Sequence, residues 1–521
     1  MIISITGSTG NMGIEVLKEL CQLPEVTLLK LLVRSNKKAN KLQKIIKETK
    51  TKAKIEFILG DMNSLSAINE LVSNSNYVIN MAAVIPPHSD KNIKAAIKCN
   101  EIGVNNLINA IEKEKSQPKF IQVSTVAVYG NRSLNMAYGQ VGDPLIPTPF
   151  DIYSLTKIRS EFSVLESNIK HYIILRQTAM YHMNMLKDNM KDGLMFHTRF
   201  DAPLEWVTAH DSGILIAKLI KKDYLNELDK NFWNKVYNVG GGVKNQLLGY
   251  EVFNKGFDLM GATIKDFFKP NYVITRNFHG VWFKDGDVLN NILNYQSESS
   301  DLYWKQMHKK YWYYQLGRII PKRLIKKLVI NPVRNSDSSS PYYWYTHNDE
   351  PRMIAYFKDS NTFKDIPTSW DKYSLPDKEK VAINNINYGF DINKPLSDIT
   401  YEDLVNVANL HGGKLLESSF TKGDIYRKLK WQDQDGETFI ARPYTILGAG
   451  HWITSSYKEL IWDYDRLSKK DKIIAQLWYD SHSQDESYLY KFDKNFKACI
   501  EEKKWKLQLY IFQVLETLKK Y

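Results

Sequence analysis

Only three cysteines occur in the 521 residues, Cys21, Cys99 and Cys499, far apart and with no CxxC pair. Their scarcity excludes a disulfide framework and a thiolate metal centre, and it fits a reducing compartment. Long apolar runs are also missing: no stretch approaches the roughly 20 residues that span a bilayer. "MIISITGSTG" runs straight into a strand, with no basic leader or cleavage site ahead of it. The expectation is a soluble, cytoplasmic protein without a membrane partner. A block of one-signed charge is lacking as well. The net charge is +13, but 71 Lys and Arg are interleaved with 58 Asp and Glu. No nucleic-acid partner is expected from such a pattern; an anionic ligand, or plain solvation, accounts for the excess. The chain does have a globular composition, 43% hydrophobic and 25% charged, and is too long for one ordinary core.

The first 60 residues carry the strongest local signal. "MIISIT" reads as a buried strand, "GSTGNMG" as a glycine-rich turn and "IEVLKELCQL" as a helix. In the GxxGxxG spacing, Gly7 permits a tight turn, Gly10 lets the backbone approach a phosphate, and Gly13 lets the helix pack close to the strand. Gly7, Ser8, Thr9, Gly10, Asn11, Met12 and Gly13 are therefore the candidate pyrophosphate cradle, with the helix N-terminus offering its free N–H groups. The second strand, "LLKLLVR", ends on Arg34 where an acid would accept a ribose 2′-hydroxyl. Arginine there suits a 2′-phosphate, which favours NADP over NAD as cofactor. "IEFILGD" brings Asp61, followed by Met62, to the place where an adenine amino group is read. Ala82 and Ala83 end the next strand and leave room for a dinucleotide.

Strands continue to alternate with helices through "KFIQVSTVAVYG" and "HYIILRQTAMY", which argues for a parallel, doubly wound α/β sheet with its ligand beyond the carboxyl ends of the strands. Between these two strands lies "DIYSLTK". Tyr153 and Lys157 are four residues apart, one helical turn, so an ammonium can sit beside a phenol and draw its pKa toward neutrality.

Taken in order, "TGSTGNMG", "GD", "NMAA", "STVAVYG", "YSLTK", "WVTAHDSG" and "VYNVGGG" resemble the extended short-chain dehydrogenase/reductases, the NAD(P)-dependent epimerase/dehydratase family, over residues 1 to about 260. The resemblance implies a Rossmann fold, Tyr153 as the acid–base residue, Lys157 as the ribose-binding residue, and Thr125 as the hydroxyl on the substrate oxygen, with Ser124 as fallback. It also implies that Asn100 lies near the active site. Sugar dehydratases of that family carry an Asp-Glu pair after the threonine. Val126 and Ala127 stand there, so dehydration is not expected. The stretch "RQTAMYHMNMLKDNMKDGLMFH" is rich in Met and aromatic residues and reads either as core or as the lining for an apolar substrate, with His182 and His197 as candidate substrate contacts.

Three regions are expected: a Rossmann domain over 1–265, an aromatic, helical substrate-covering region over 266–395 with a loop or linker at 331–341, and a small α+β domain over 396–521. The last loosely resembles a degenerate treble-clef module, with Asp433, Ile453 and Ser456 where thiolates would be expected and hence no metal. It is expected to recognise substrate or a partner, and a second copy of the chain, as a homodimer, is left open. "KIIAQLWYDSHSQDESYLYKF", with His482, reads as a solvated helix. The function expected is NADP-dependent hydride transfer to or from a carbonyl or secondary alcohol. The alternatives are a nucleotide-sugar epimerase that retains NAD, and a non-catalytic NADP-binding regulator.

Overall fold

A computed structural model describes residues 1–186 and 192–492. Cys499, the chain beyond 492 and part of the Met-rich stretch lie outside the described residues. Seven parallel strands form the central sheet: β1 (Ile2–Thr6), β2 (Leu28–Val33), β3 (Lys54–Leu59), β4 (Tyr77–Asn80), β5 (Lys119–Thr125), β6 (Tyr172–Gln177) and β7 (Lys235–Val239), in the order β7-β6-β5-β4-β1-β2-β3. The order reverses between β1 and β4, and there the strand ends open a crevice. Near-continuous apolar runs such as Leu28–Val33 are buried on both faces, as helix-covered parallel strands require. Even Lys30 is buried, its Nζ donating to the carbonyls of Glu70 and Ser73 at 3.0 and 2.8 Å.

Helix α1 (Asn11–Leu20) follows the glycine turn and presses Met12, Val16, Leu17 and Leu20 into the core. Helix α2 (Asn36–Thr49) opens on Ser35, whose hydroxyl caps the Lys38 N–H. Helix α3 (Leu65–Val72) and helix α4 (Gly103–Lys113) cover one face. Helix α5 (Ile152–Leu165), capped by Asp151, carries "DIYSLTK", and α6 (Ala209–Tyr224) packs beside α1.

The described residues after 396 form a small domain with a three-stranded antiparallel sheet, Lys414–Leu415, Leu429–Gln432 and Thr438–Ala441, and a two-stranded one, Ile461–Trp462 with Tyr490–Lys491. It shares one apolar cluster with the main sheet: Ile152, Leu155, Tyr172 and Ile174 lie in the same core as Trp431, Tyr444, Trp462 and Leu467. Asp433 closes the turn between its two longer strands, accepting the Asp435 and Glu437 N–H groups at 2.9 and 2.8 Å.

Two local expectations differ from the structure. Residues 331–341 were expected as a loop, yet Asn331–Ser336 is helical: proline is tolerated in a first turn, Val333 is buried, and the Arg334 guanidinium lies 3.5 Å over the Tyr342 ring. His482 was expected on a solvated helix, yet it is buried and stacked on Trp478 with ring centroids 3.6 Å apart. Aromatic packing, invisible in local polarity, decides both.

Candidate active site

The glycine turn is held by close contacts that only glycine permits. Gly7 has φ +74°, and a Cβ on it would stand 2.5 Å from the Met81 carbonyl carbon. A Cβ on Gly13 would stand 2.3 Å from the Gly7 oxygen. The turn therefore rests against the end of β4 on one side and against α1 on the other. Gly10 is the N-cap of α1 and supplies no side-chain cap, and the buried Ser8 hydroxyl has no hydrogen-bond partner among the described residues. Uncapped N–H groups and an unpaired buried hydroxyl are what a bound pyrophosphate would satisfy. The residues fit a dinucleotide phosphate. Thr9 and Asn11 are partly exposed in the same turn, whereas Met12 turns its side chain into the core and offers only backbone.

Around this turn the strand ends bring Arg34 after β2, Asp61 after β3, and Ala82 and Ala83 after β4. Arg34 and Asp61 are exposed, and the alanines are partly so. Asp61 Oδ1 accepts the Asn63 N–H at 2.8 Å and the Ser64 hydroxyl at 3.2 Å. Met62 is buried under Gly103 and packs rather than lining the crevice. The thiol of Cys99 is pushed up by burial, opposed by the charges of Lys157 and Arg34 and reinforced by that of Asp61. Residues from three separate elements thus face one space.

Thr125 ends β5 and Tyr153 stands on the first turn of α5. Tyr153 is partly exposed, and burial pushes its pKa up to about 12, against the lowering effect of a hydrogen bond with Thr125. This is opposite to the direction expected from Lys157 alone. The Lys157 ammonium lies 6.0 Å from the Tyr153 ring centroid and donates instead to the Val123 carbonyl at 2.8 Å. Its own pKa falls to about 8 through burial. Asn100, fully buried, clamps the backbone of Val84 from both sides, accepting its N–H at 2.8 Å and donating to its carbonyl at 2.9 Å. It also donates to Thr156 Oγ1 on α5 at 3.0 Å. It fixes the loop after β4 to the tyrosine helix.

Three further expected residues have partners within the protein. Strand alternation turns Ser124 away from Thr125, and its hydroxyl donates to Glu161. His197 is paired through Nε2 with the Ser339 carbonyl at 2.7 Å and meets the Trp344 ring edge-on, and burial lowers its pKa to about 4. His182 accepts the Tyr303 hydroxyl on its carbonyl at 3.1 Å.

Sequence reasoning missed two groups. The first is a buried cluster behind Thr125. Arg176 Nη2 donates to Glu161 at 2.8 Å and to the Ala449 carbonyl at 2.7 Å, while Arg176 Nη1 donates to the Tyr129 hydroxyl at 2.9 Å. His451 Nε2 lies 3.2 Å from Glu161 and its Nδ1 lies 2.7 Å from the Tyr457 hydroxyl. Burial lowers the His451 pKa, against the raising effect of the Glu161 carboxylate; in the neutral ring Nε2–H donates to that carboxylate and Nδ1 accepts from Tyr457. Glu161 follows Lys157 by four residues, a spacing that was readable. The second group surrounds the start of α5. His279 Nδ1 lies 3.7 Å from Asp151, and Asp90, pushed up to about 7 by burial and then by the Asp151 charge, lies nearby in the short helical turn His88–Lys91. No spacing in the sequence pointed to it.

Residues 3–191 match the model of the NAD dependent epimerase/dehydratase family. The match is confined to that part of the chain. Solved structures similar to the epimerase/dehydratase-family domain include a dTDP-glucose 4,6-dehydratase from Bacillus anthracis in complex with NAD, 19% identical, covering 60% of this chain and 98% of that one with a TM-score of 0.46. A UDP-glucuronic acid 4-epimerase from Bacillus cereus in complex with NAD is 20% identical, with 60% and 100% covered and a TM-score of 0.44. A UDP-Glc/GlcNAc 4-epimerase from Campylobacter jejuni is 19% identical, with 59% and 98% covered and a TM-score of 0.43. Among the described residues, no helix is long and apolar enough to cross a membrane.

Proposed function

We propose that the chain is a nicotinamide-dinucleotide-dependent oxidoreductase that reduces a carbonyl, or oxidises the matching secondary alcohol, with Tyr153 as its acid–base group. The observation that carries this reading is Tyr153, partly exposed and hydrogen-bonded with Thr125, on the helix that buries Lys157 one turn on. When bound, the nicotinamide supplies or accepts the hydride. The backbone of Gly7–Gly13 would hold the pyrophosphate and Lys157 the nicotinamide ribose. With a pKa of about 12, Tyr153 stays protonated at neutral pH, ready to give its proton to a substrate oxygen in the direction of reduction. Thr125 Oγ1 accepts the Ala127 N–H at 3.2 Å, which orients its own hydroxyl proton for the same oxygen. Asn100 is a positioning residue that sets the loop after β4 against α5. Val126 and Ala127 give no carboxylate for elimination at this point.

Arg34, exposed at the end of β2, supports NADP rather than NAD. NADPH is expected to bind at least tenfold more tightly than NADH, about 1.4 kcal/mol, and Arg34→Asp should weaken NADPH specifically. Equal affinities measured by fluorescence titration would contradict the assignment. A second reading, a nucleotide-sugar epimerase retaining NAD, is favoured by the family match over residues 3–191. NAD that co-purifies and resists exchange supports the epimerase. Exchangeable NADPH with turnover of carbonyl compounds supports the reductase.

A further inference from the structure

We propose that the non-reacting part of the substrate is a medium-length hydrocarbon arm, seated in an apolar cavity that the loop after β4 helps to line; this rests on the reading that a carbonyl is presented to Tyr153. The cavity measures about 310 Å³ and is walled by Met185, Leu186, Trp206, Phe253, Phe257 and Trp304. That volume lies at the lower end of the roughly 300–1,000 Å³ of ligand clefts, enough for a chain or a small ring system. The wall is preorganised: Tyr181 stacks between Trp206 at 4.4 Å and Tyr303 at 4.1 Å, and all three rings are buried.

Position ties the cavity to the candidate active site. Pro86 and Pro87, on the loop that Asn100 fixes to α5, form part of its lining. Pro87 and Leu194 also border a smaller cavity of about 40 Å³ that reaches Asp90 and Phe150, the latter three residues before Tyr153. Phe278, a further lining residue, stacks on His279, which faces Asp151 at the start of the same helix. The apolar wall sets the class of ligand: an aliphatic arm gains from every methylene that leaves water against Leu186, Phe253, Phe257 and Trp304.

Two assays test this. The first is binding of N-phenyl-1-naphthylamine, an uncharged fluorescent probe, to the full chain without cofactor. The second is kcat/KM with NADPH across a homologous series of straight-chain 2-ketones. The probe should bind with a blue-shifted emission, and kcat/KM should rise roughly fourfold per added methylene until the cavity is filled. Gly256 and Val252 line the cavity, and a Cβ on Gly256 meets only the Trp304 ring at 3.7 Å, so larger side chains there grow into the space. Gly256→Leu and Val252→Phe, each checked for folding by thermal melting, should weaken probe binding at least tenfold and flatten the chain-length dependence. The proposal is overturned if the native protein does not bind the probe, if both folded variants bind it unchanged, or if UDP-glucose displaces it. Probe binding that is lost in the variants, with no turnover of any ketone, would uphold the apolar site and remove the reductase reading.

Discussion

Replacing Glu161 by glutamine removes one charge from a cluster that is closed to solvent. The carboxylate is 0% exposed and accepts from Arg176, His451 and Ser124 together. Burial would raise its pKa, but Arg176 and His451 outweigh burial and hold it at about 2, against 4.5 for a free glutamate. By linkage that depression corresponds to about 3 kcal/mol of stability. Leaving the Arg176 guanidinium buried without its carboxylate gives a similar figure, roughly 3–5 kcal/mol. Glu161→Gln should therefore lower the unfolding free energy by about 3 kcal/mol at neutral pH, read from the urea midpoint by tryptophan fluorescence at unchanged slope. The native carboxylate's contribution is complete above pH 4.5 and disappears as pH falls through about 2, so the gap between native and variant protein should narrow in acid. The double change Glu161→Leu with Arg176→Met removes both charges and should recover more than half of the loss. A single-variant loss below about 1 kcal/mol, or a double variant no more stable than the single one, would refute the reasoning.

Two further outcomes follow from the site. Gly13→Ala sets a Cβ 2.3 Å from the Gly7 oxygen and 2.7 Å from Ser8 Cα; it should cost more than tenfold in NADPH affinity by titration, while Gly10→Ala, whose Cβ meets only the Gly7 oxygen at 3.3 Å, should cost less. Thr125→Ala should lower single-turnover hydride transfer by roughly 10² to 10³ through the loss of one preorganised donor, and Thr125→Ser should recover most of it.

Local patterns made the nucleotide end of the molecule readable. β1, the glycine turn and α1 follow one another within 20 residues, and their roles are set by backbone conformation and by which side chains fit. The Tyr153–Lys157 helix was legible for the same reason, as a spacing on one element. What a spacing cannot carry is burial, and burial decided the rest. It raises Tyr153 where a neighbouring lysine alone would lower it, and it makes the Ser124 hydroxyl a partner of Glu161. The bond between Arg176 and the Ala449 carbonyl spans 273 residues, and the one between Glu161 and His451 spans 290. No local window contains both ends. For that reason the chain after 396, which reads as a separate unit, shares a core with the sheet and supplies a histidine to the back of the tyrosine helix.

The central claim is that Tyr153 moves the proton. Single-turnover hydride transfer by Tyr153→Phe, from bound NADPH to a carbonyl substrate that the native protein reduces, tests it most directly, with NADPH affinity titrated alongside. The phenol meets the reacting oxygen and Lys157 the ribose, so transfer should be abolished while affinity stays within about twofold of the native value, under about 0.5 kcal/mol. Transfer at a substantial fraction of the native rate would contradict the account and move the acid to another group at the start of α5, with Asp90 and His279 the first to be changed.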